Sequence, residues 1–459
     1  MNKSLIAFFS IAALSAAITA LQDVKAYEIS ASREEEYGKV VMIVGDYLDI
    51  KDISRMENLC RLAGRSHVAL INNRQPGKAD AAKSKLIIGS GKRLELDADM
   101  VLGDRNDINR IKDRNANSEY KKYIGYIGDA INKKDGTACY IGNADAEKKN
   151  RSSMLIAADS SGEIDSGETE DVIIEDAAFP GGKRTDYDRL AELYKQYLPA
   201  SSFIVIETGD MERLEAFKGS MSEEAYQSYK QDVMERIDGF VKEIVGYGGL
   251  KTFIFISTYP SKSNAEAGNK LTPIVVYEGR GGVLHSNNTR RNGIILNTDI
   301  ADYVLYKLGY LTECAVLELD EKASLNALED MNMSILRTSV LRAPVLTYYA
   351  VSVIAALGML FAAAVFFGKK CGHFWFGTGI IIAYTMLLIP IAFLLIPASC
   401  QDWGPVGYAI LTAAVSFVLS ILLHLSLRNR LKTILVICLL LQAGLAVDIL
   451  TGSELIKKS

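Results

Sequence analysis

Histidine is nearly missing from this chain: there are four in 459 residues. A polar region of some 300 residues holds just two of them, His67 and His285. That scarcity argues against a metal centre built on imidazole, the commonest neutral ligand. Cysteine is also sparse. Cys60, Cys139 and Cys314 lie in the polar part, an odd number without a C-x-x-C pair; Cys371, Cys400 and Cys438 lie in the apolar part. This excludes a disulfide framework and zinc-ribbon spacing. Long basic runs and basic–aromatic interleaving are missing too, and the net charge of -4 gives no nucleic-acid signal. There is no internal repeat and no low-complexity linker.

What is present divides sharply. Residues from about 28 to 340 carry almost all the charge, whereas 344–450 are nearly all apolar. The N-terminus has Lys3, an apolar run from Leu5 to Leu21, and the small-residue pattern Val24-Lys25-Ala26. This reads as a signal peptide over 1–26, or else as an N-terminal anchor; either exports the polar domain behind it. Four apolar stretches, 344–367, 374–397, 405–426 and 433–450, are each long enough to span a bilayer. Lys369 and Lys370 fall in the first loop, Arg428, Arg430 and Lys432 in the third, and none in the second. The positive-inside rule then puts loops one and three in the cytoplasm and the polar domain outside, with Lys457 and Lys458 in the tail 451–459 a mild departure. Gln442 and Asp448 are the polar residues of the last span. The expected location is a bacterial plasma membrane, multi-pass, with the bilayer itself as one partner.

The domain at 27–340 alternates strands and helices. Lys39–Val44, Val68–Ile71, Leu86–Ile88, Phe203–Glu207, Phe253–Ser257 and Ile274–Tyr277 read as strands. Ser54–Ala63, Asp188–Tyr197, Glu223–Gly246 and Asp299–Leu308 read as helices, the last stopped by Gly309. The implied fold is α/β, a mostly parallel sheet with helices on both faces. In such sheets ligands gather beyond the carboxyl ends of the strands. Asp46, Asn72, Asn73, Arg74, Asp210 and Ser257–Tyr259 fall at strand ends and are expected along one edge. Acidic, turn-rich SSGEIDSGETED at 160–171 reads as a solvated hairpin.

Three pieces carry a family resemblance. VVMIVGDYL and FIVIETGDMERL each end a strand on an aspartate, and NKLTPIVVYEGRGG is followed by NTDIADYVLYKLG. Together they resemble the alkaline phosphatase superfamily, with its sulfatases and metal-dependent phosphoglycerate mutases. YIGNADA, FPGGKRTDY, ETGDMERLE and NTRRNGIILNTD resemble, more narrowly, a group of bacterial polytopic membrane proteins of unassigned role that carry such a domain. The resemblance implies an alkaline phosphatase-like fold and makes Asp46 and Asp210 the counterparts of metal-site aspartates. It also implies ligands that this chain does not carry. An Asp-His pair expected after FIFIS reads Ser257-Thr258-Tyr259. A histidine expected before the closing strand reads Asn269-Lys270-Leu271, and one expected after Asp210 reads Met211-Glu212-Arg213. The nucleophile position falls in Asn72-Asn73-Arg74-Gln75, which has no hydroxyl.

Two close divalent cations need several anionic or imidazole ligands, and Asp46 with Asp210 is too few, though Glu207 or Asp299 could add oxygens. The expectation is therefore no metal, no cofactor and no catalytic residue. Arg74, Lys92, Arg93, Arg184, Arg213, Arg280, Arg290 and Arg291 offer donors for an anion instead. Asp46, Asn72, Asn73, Arg74, Asp210, Arg213, Thr289, Arg290, Arg291 and Asp299 are the ligand-binding candidates. The leading reading is a membrane-anchored envelope protein with a degenerate phosphatase-like domain that binds an anionic envelope ligand or a partner protein. The alternatives are a metal-dependent hydrolase or phosphotransferase with atypical ligands, and a split part of a polytopic transporter or envelope-assembly protein.

Overall fold

The computed structural model describes residues 38–97, 105–321, 324–367, 373–396, 404–427 and 429–450. The signal or anchor segment, Lys369, Lys370, Arg428, the side chain of Asp448 and the tail lie outside the described residues. The chain forms two compact units, Ser32–Asn332 and a second that includes Met333–Ser459.

The strands of the first unit are β1 (Val40–Val44), β2 (His67–Asn72), β3 (Ala138–Gly142), β4 (Ser166–Glu168), β5 (Ile173–Glu175), β6 (Lys183–Thr185), β7 (Phe203–Glu207), β8 (Thr252–Ile256), β9 (Leu271–Tyr277), β10 (Gly282–Ser286), β11 (Arg291–Asn292), β12 (Ile294–Leu296) and β13 (Val316–Leu319). Eleven of them make one sheet in the order β11-β10-β2-β9-β8-β1-β7-β3-β4, with β12 beside β2 and β13 beside β10. From β4 through β3, β7 and β1 to β8 every pairing is parallel. β9 runs the other way between β8 and β2, which restores β2 to the common direction. β5 and β6 form a separate antiparallel hairpin.

Helices α1 (Ile50–Arg55), α2 (Glu57–Ala63), α3 (Ala81–Ser90), α4 (Arg105–Arg114), α5 (Tyr126–Asn132), α6 (Met154–Ala157), α7 (Tyr187–Tyr197), α8 (Asp210–Phe217), α9 (Glu223–Tyr247), α10 (Lys262–Glu266) and α11 (Ile300–Lys307) complete the unit. The strand period decides which helices each face meets. Val41 and Ile43 of β1 point into a core shared with α1, α2, α7, α8 and α9. Val40, Met42 and Val44 point into a second core with α5, α6 and α11. Both faces are thus covered, which is why the strands read as unbroken apolar runs.

Two expectations are corrected. Leu86–Ile88 is no strand but the middle of α3. Asp80 caps that helix through Ala82 N and Lys83 N, and Gly91 closes it at φ 64°. Every residue from Lys83 to Ser90 is buried, so the run has no polar face to show a helical period. Within 160–171, Ser166–Glu168 joins the main sheet as β4, parallel to β3, and is not part of a hairpin.

The second unit is helical, with α12 (Leu325–Phe367), α13 (His373–Leu395), α14 (Gly404–Leu427) and α15 (Arg430–Leu450). α12 begins inside the first unit and carries Pro344 in its interior. Among the described residues, two helices are long and apolar enough to cross a membrane, Leu325–Met359 and Gly404–Leu427, and Gly377–Phe393 is a shorter apolar stretch.

Candidate functional site

Parallel β1, β2, β7 and β8 bring Asp46, Asn72, Asn73, Asp210 and Thr258 to one edge of the sheet, as the strand ends implied. What surrounds the acids there is a buried polar network in which Asp46 Oδ2 and Asp210 Oδ2 accept no hydrogen bond. Lys85 rises from α3 with no exposed surface. Its Nζ lies 3.0 Å from Asp46 Oδ2, 3.0 Å from Glu207 Oε1 and 3.0 Å from Ser152 Oγ. Two of its hydrogens have acceptors in Glu207 and Ser152, while Asp46 Oδ2 meets it as an ion pair and accepts no hydrogen bond. Asp46 Oδ1 accepts from Thr258 N and Thr258 Oγ1, both at 2.6 Å. Glu207 accepts further bonds from the Ser153 and Tyr140 hydroxyls. Burial alone would strip the proton from Lys85, but Asp46 and Glu207 reverse this and raise its pKa above the usual lysine range. Burial, with Glu207 beside it, raises the Tyr140 hydroxyl well above the usual range, so it stays a donor.

Asp210 is neutralised in the same way. It is fully buried and its Oδ1 accepts from Thr185 N at 2.7 Å and from the Arg213 guanidinium at 2.9 Å. Arg213 is 1% exposed. It also donates to Thr185 Oγ1, Asp145 O, Asn143 O and Asn143 Oδ1, which uses all five of its N–H groups. Arg213 therefore braces the loop after β3 against α8 and has no donor left for a ligand. Burial pushes the Asp210 carboxyl up, with Arg213 pulling it down.

A third acid stands beside them. Glu212 accepts from Tyr47 Oη at 2.8 Å, and its Oε2 is buried without a hydrogen-bond partner. Burial raises its pKa to about 7, Lys85 opposing and Asp46 assisting. Tyr47 sits at φ 63°, an uncommon conformation for a bulky residue.

Close packing of β3 and β7 depends on one glycine. Gly142 lies at φ 101°, and a Cβ there would come within 2.2 Å of the Glu207 carbonyl oxygen. Gly142→Ala is expected to cost at least about 2 kcal/mol. Gly239→Ala in α9, where a Cβ meets nothing within 4 Å, is expected to be neutral or mildly stabilising. Thermal unfolding of the two variants checks the contrast.

The remaining candidates separate. Asn73 is buried and donates to Thr272 Oγ1 at 2.6 Å. Asn72 is half-buried at the end of β2, and Arg74 beside it is exposed. Asp299 accepts from Ser286 Oγ at 2.7 Å and Asn288 Nδ2 at 2.6 Å, and Thr289 Oγ1 donates to Ile294 O at 2.6 Å. These brace the loop that carries Arg290 and Arg291 and place no group on Asp46. Arg184 pairs with Asp176 at 2.8 Å. Arg280 follows antiparallel β9 and so falls at the opposite edge of the sheet. A cleft of about 660 Å³ lies elsewhere, between α1, α2 and α9, lined by Asp52, Arg55, Lys230 and Asp238 among others.

Sequence reasoning did not find Lys85, Ser152, Ser153, Tyr140 or Glu212. One signal was available: a lysine directly before the apolar run Leu86-Ile87-Ile88 is costly to bury unless an acid meets it.

Among the described residues no group of three or more His, Cys, Asp and Glu is arranged to hold a metal ion. Asp46 and Glu207 already share an ammonium, and Asp210 a guanidinium. The nearby hydroxyls are committed too: Ser84 donates to Thr258 O at 2.7 Å and Thr208 to Val44 O at 3.0 Å.

No family model matches the chain and no curated protein matches it. Solved structures do. One is a protein in the alkaline phosphatase superfamily from Vibrio parahaemolyticus, 10% identical over 64% of this chain and 71% of that one, TM-score 0.40. Another is the PH0037 protein from Pyrococcus horikoshii, 12% identical over 60% and 99%, TM-score 0.36. A third is the alkaline phosphatase from the Antarctic bacterium TAB5, 10% identical over 60% and 100%, TM-score 0.35.

Proposed function

We propose that this is a membrane-anchored envelope protein whose extracytoplasmic domain binds rather than reacts. The observation that carries this reading is the Lys85 ammonium held between Asp46 and Glu207, each contact 3.0 Å. A site for phosphoryl or sulfuryl transfer needs positive charge that faces the substrate and a hydroxyl free to attack. Here the charge is turned inward onto protein carboxylates and the hydroxyls donate to backbone and carboxylate. The acids at the strand ends are engaged by protein cations, Asp46 and Glu207 by Lys85 and Asp210 by Arg213. Binding then falls to the exposed surface at the same edge, where Arg74 presents a guanidinium suited to a carboxylate, a phosphate or an acidic partner surface. The apolar helices of the second unit hold the domain at the bilayer.

The test is metal content together with turnover. The full chain, purified in detergent and equilibrated with Zn, Mn, Mg and Ca, is expected to retain no stoichiometric metal and to leave phosphate and sulfate esters intact. Two metals per chain, lost on Asp46→Ala or Asp210→Ala, would sink the binding reading and establish the hydrolase alternative.

A further inference from the structure

We propose that the chain pairs with a second copy of itself along α15, through a seam centred on Gln442. This rests on the reading of α15 as membrane-embedded. Leu431, Leu435, Cys438, Gln442 and Leu445 are spaced alternately four and three residues apart. That is the heptad spacing of a two-helix seam. The helix's own bundle leaves the stripe uncovered. Leu431 is 79% and Leu435 59% exposed, and Cys438, Gln442 and Leu445 are exposed as well. A different face is the one that packs: Ile437 is buried against Tyr384 and Leu388.

Gln442 gives the stripe its meaning. It lies 12 residues past Arg430, roughly 18 Å along the helix and so deep in the hydrocarbon. Hydroxyls elsewhere on these helices are satisfied by their own backbone. Thr347 donates to Ala343 O, Thr385 to Ile381 O, Thr412 to Tyr408 O and Ser416 to Thr412 O. Gln442 makes no hydrogen bond among the described residues. An unsatisfied amide in lipid is expensive, and lipid or an aliphatic helix face offers it nothing. A second copy does. The amide carries both acceptor and donors, so its own image completes it. Copies inserted with one topology are related by an axis along the membrane normal, so like residues meet at one depth. Gln442 then faces its counterpart, with Cys438 facing its own one turn away.

The experiment uses the full chain in liposomes. Mild copper-catalysed oxidation is expected to give a disulfide-linked dimer that is lost in Cys438→Ser. Energy transfer between labelled, reduced chains diluted in lipid is expected to show roughly tenfold weaker association for Gln442→Leu, with recovery in Gln442→Asn. A dimer that persists in Cys438→Ser, or association unchanged in Gln442→Leu, overturns the seam. A membrane-impermeant maleimide separates the premise from the proposal. Labelling of Cys438 without detergent shows that α15 is outside the bilayer, and the membrane reading fails with it. Protection without cross-linking shows an embedded but unpaired helix, which overturns the pairing alone.

Discussion

Lys85→Met is expected to cost the α/β unit about 3–5 kcal/mol, the usual penalty for removing one partner of a buried ion pair. Methionine fills nearly the same volume, so packing is largely kept and the loss is electrostatic. Asp46 and Glu207 are buried. Without the ammonium they face each other with only the Thr258, Ser153 and Tyr140 donors remaining. The second substitution Glu207→Gln in that background is expected to recover much of the loss. It removes one unpaired charge, and replacing both partners costs less than orphaning one. Urea-dependent pulse proteolysis of the full chain in detergent measures both. A loss below about 1 kcal/mol for Lys85→Met would show that the ammonium does not hold the acids together.

Stability is expected to fall as pH rises from about 4.5 to about 7, through Glu212. A carboxyl whose folded pKa is raised keeps its proton in the folded state while the unfolded chain has already released it. Folding then takes up a proton across that window, and stability drops until both states are ionised. Between 4.5 and about 7 the drop amounts to about 3 kcal/mol. It levels off above the folded pKa. The cause is burial first, then Asp46, against the pull of Lys85. Asp52 and Asp210 are raised as well, so the wild-type curve sums several acids. Glu212→Gln isolates one of them: the amide keeps a bond to Tyr47 and cannot titrate. Pulse proteolysis from pH 5 to 8 should show a flatter profile in the variant. An identical slope in both proteins would exclude Glu212 as its source.

Much of this architecture was legible in the chain. Lys39–Val44, Phe203–Glu207 and Phe253–Ser257 are apolar on both faces because helices cover both sides, and such runs announce themselves. The edge that gathers Asp46, Asn73, Asp210 and Thr258 follows from strand direction alone. α3 was not legible, since a helix buried all round has no period. β11 to β13 have only two to four residues each, too few to show a period. The site was half legible. The strand-end acids Asp46 and Asp210 were visible in it. The cations that meet them come from α3 and α8, and only the fold brings Lys85 to Asp46. Arg213 shows the limit most plainly: as a residue type it suits an anion, but as placed it is an internal brace.

The antiparallel strand β9 has a consequence for the order in which the chain can assemble. β2 is complete by Asn72, yet its neighbours β9, β10 and β12 all lie beyond residue 270. Until that late segment arrives both edges of β2 are bare, although β4, β3, β7, β1 and β8 can already pair with one another. Loop closures of some 200 residues are slow, and strands left unpaired meanwhile invite association with other chains. β2 is thus the early strand that must wait for the end of the unit, and yield is set by how well that one strand is shielded meanwhile.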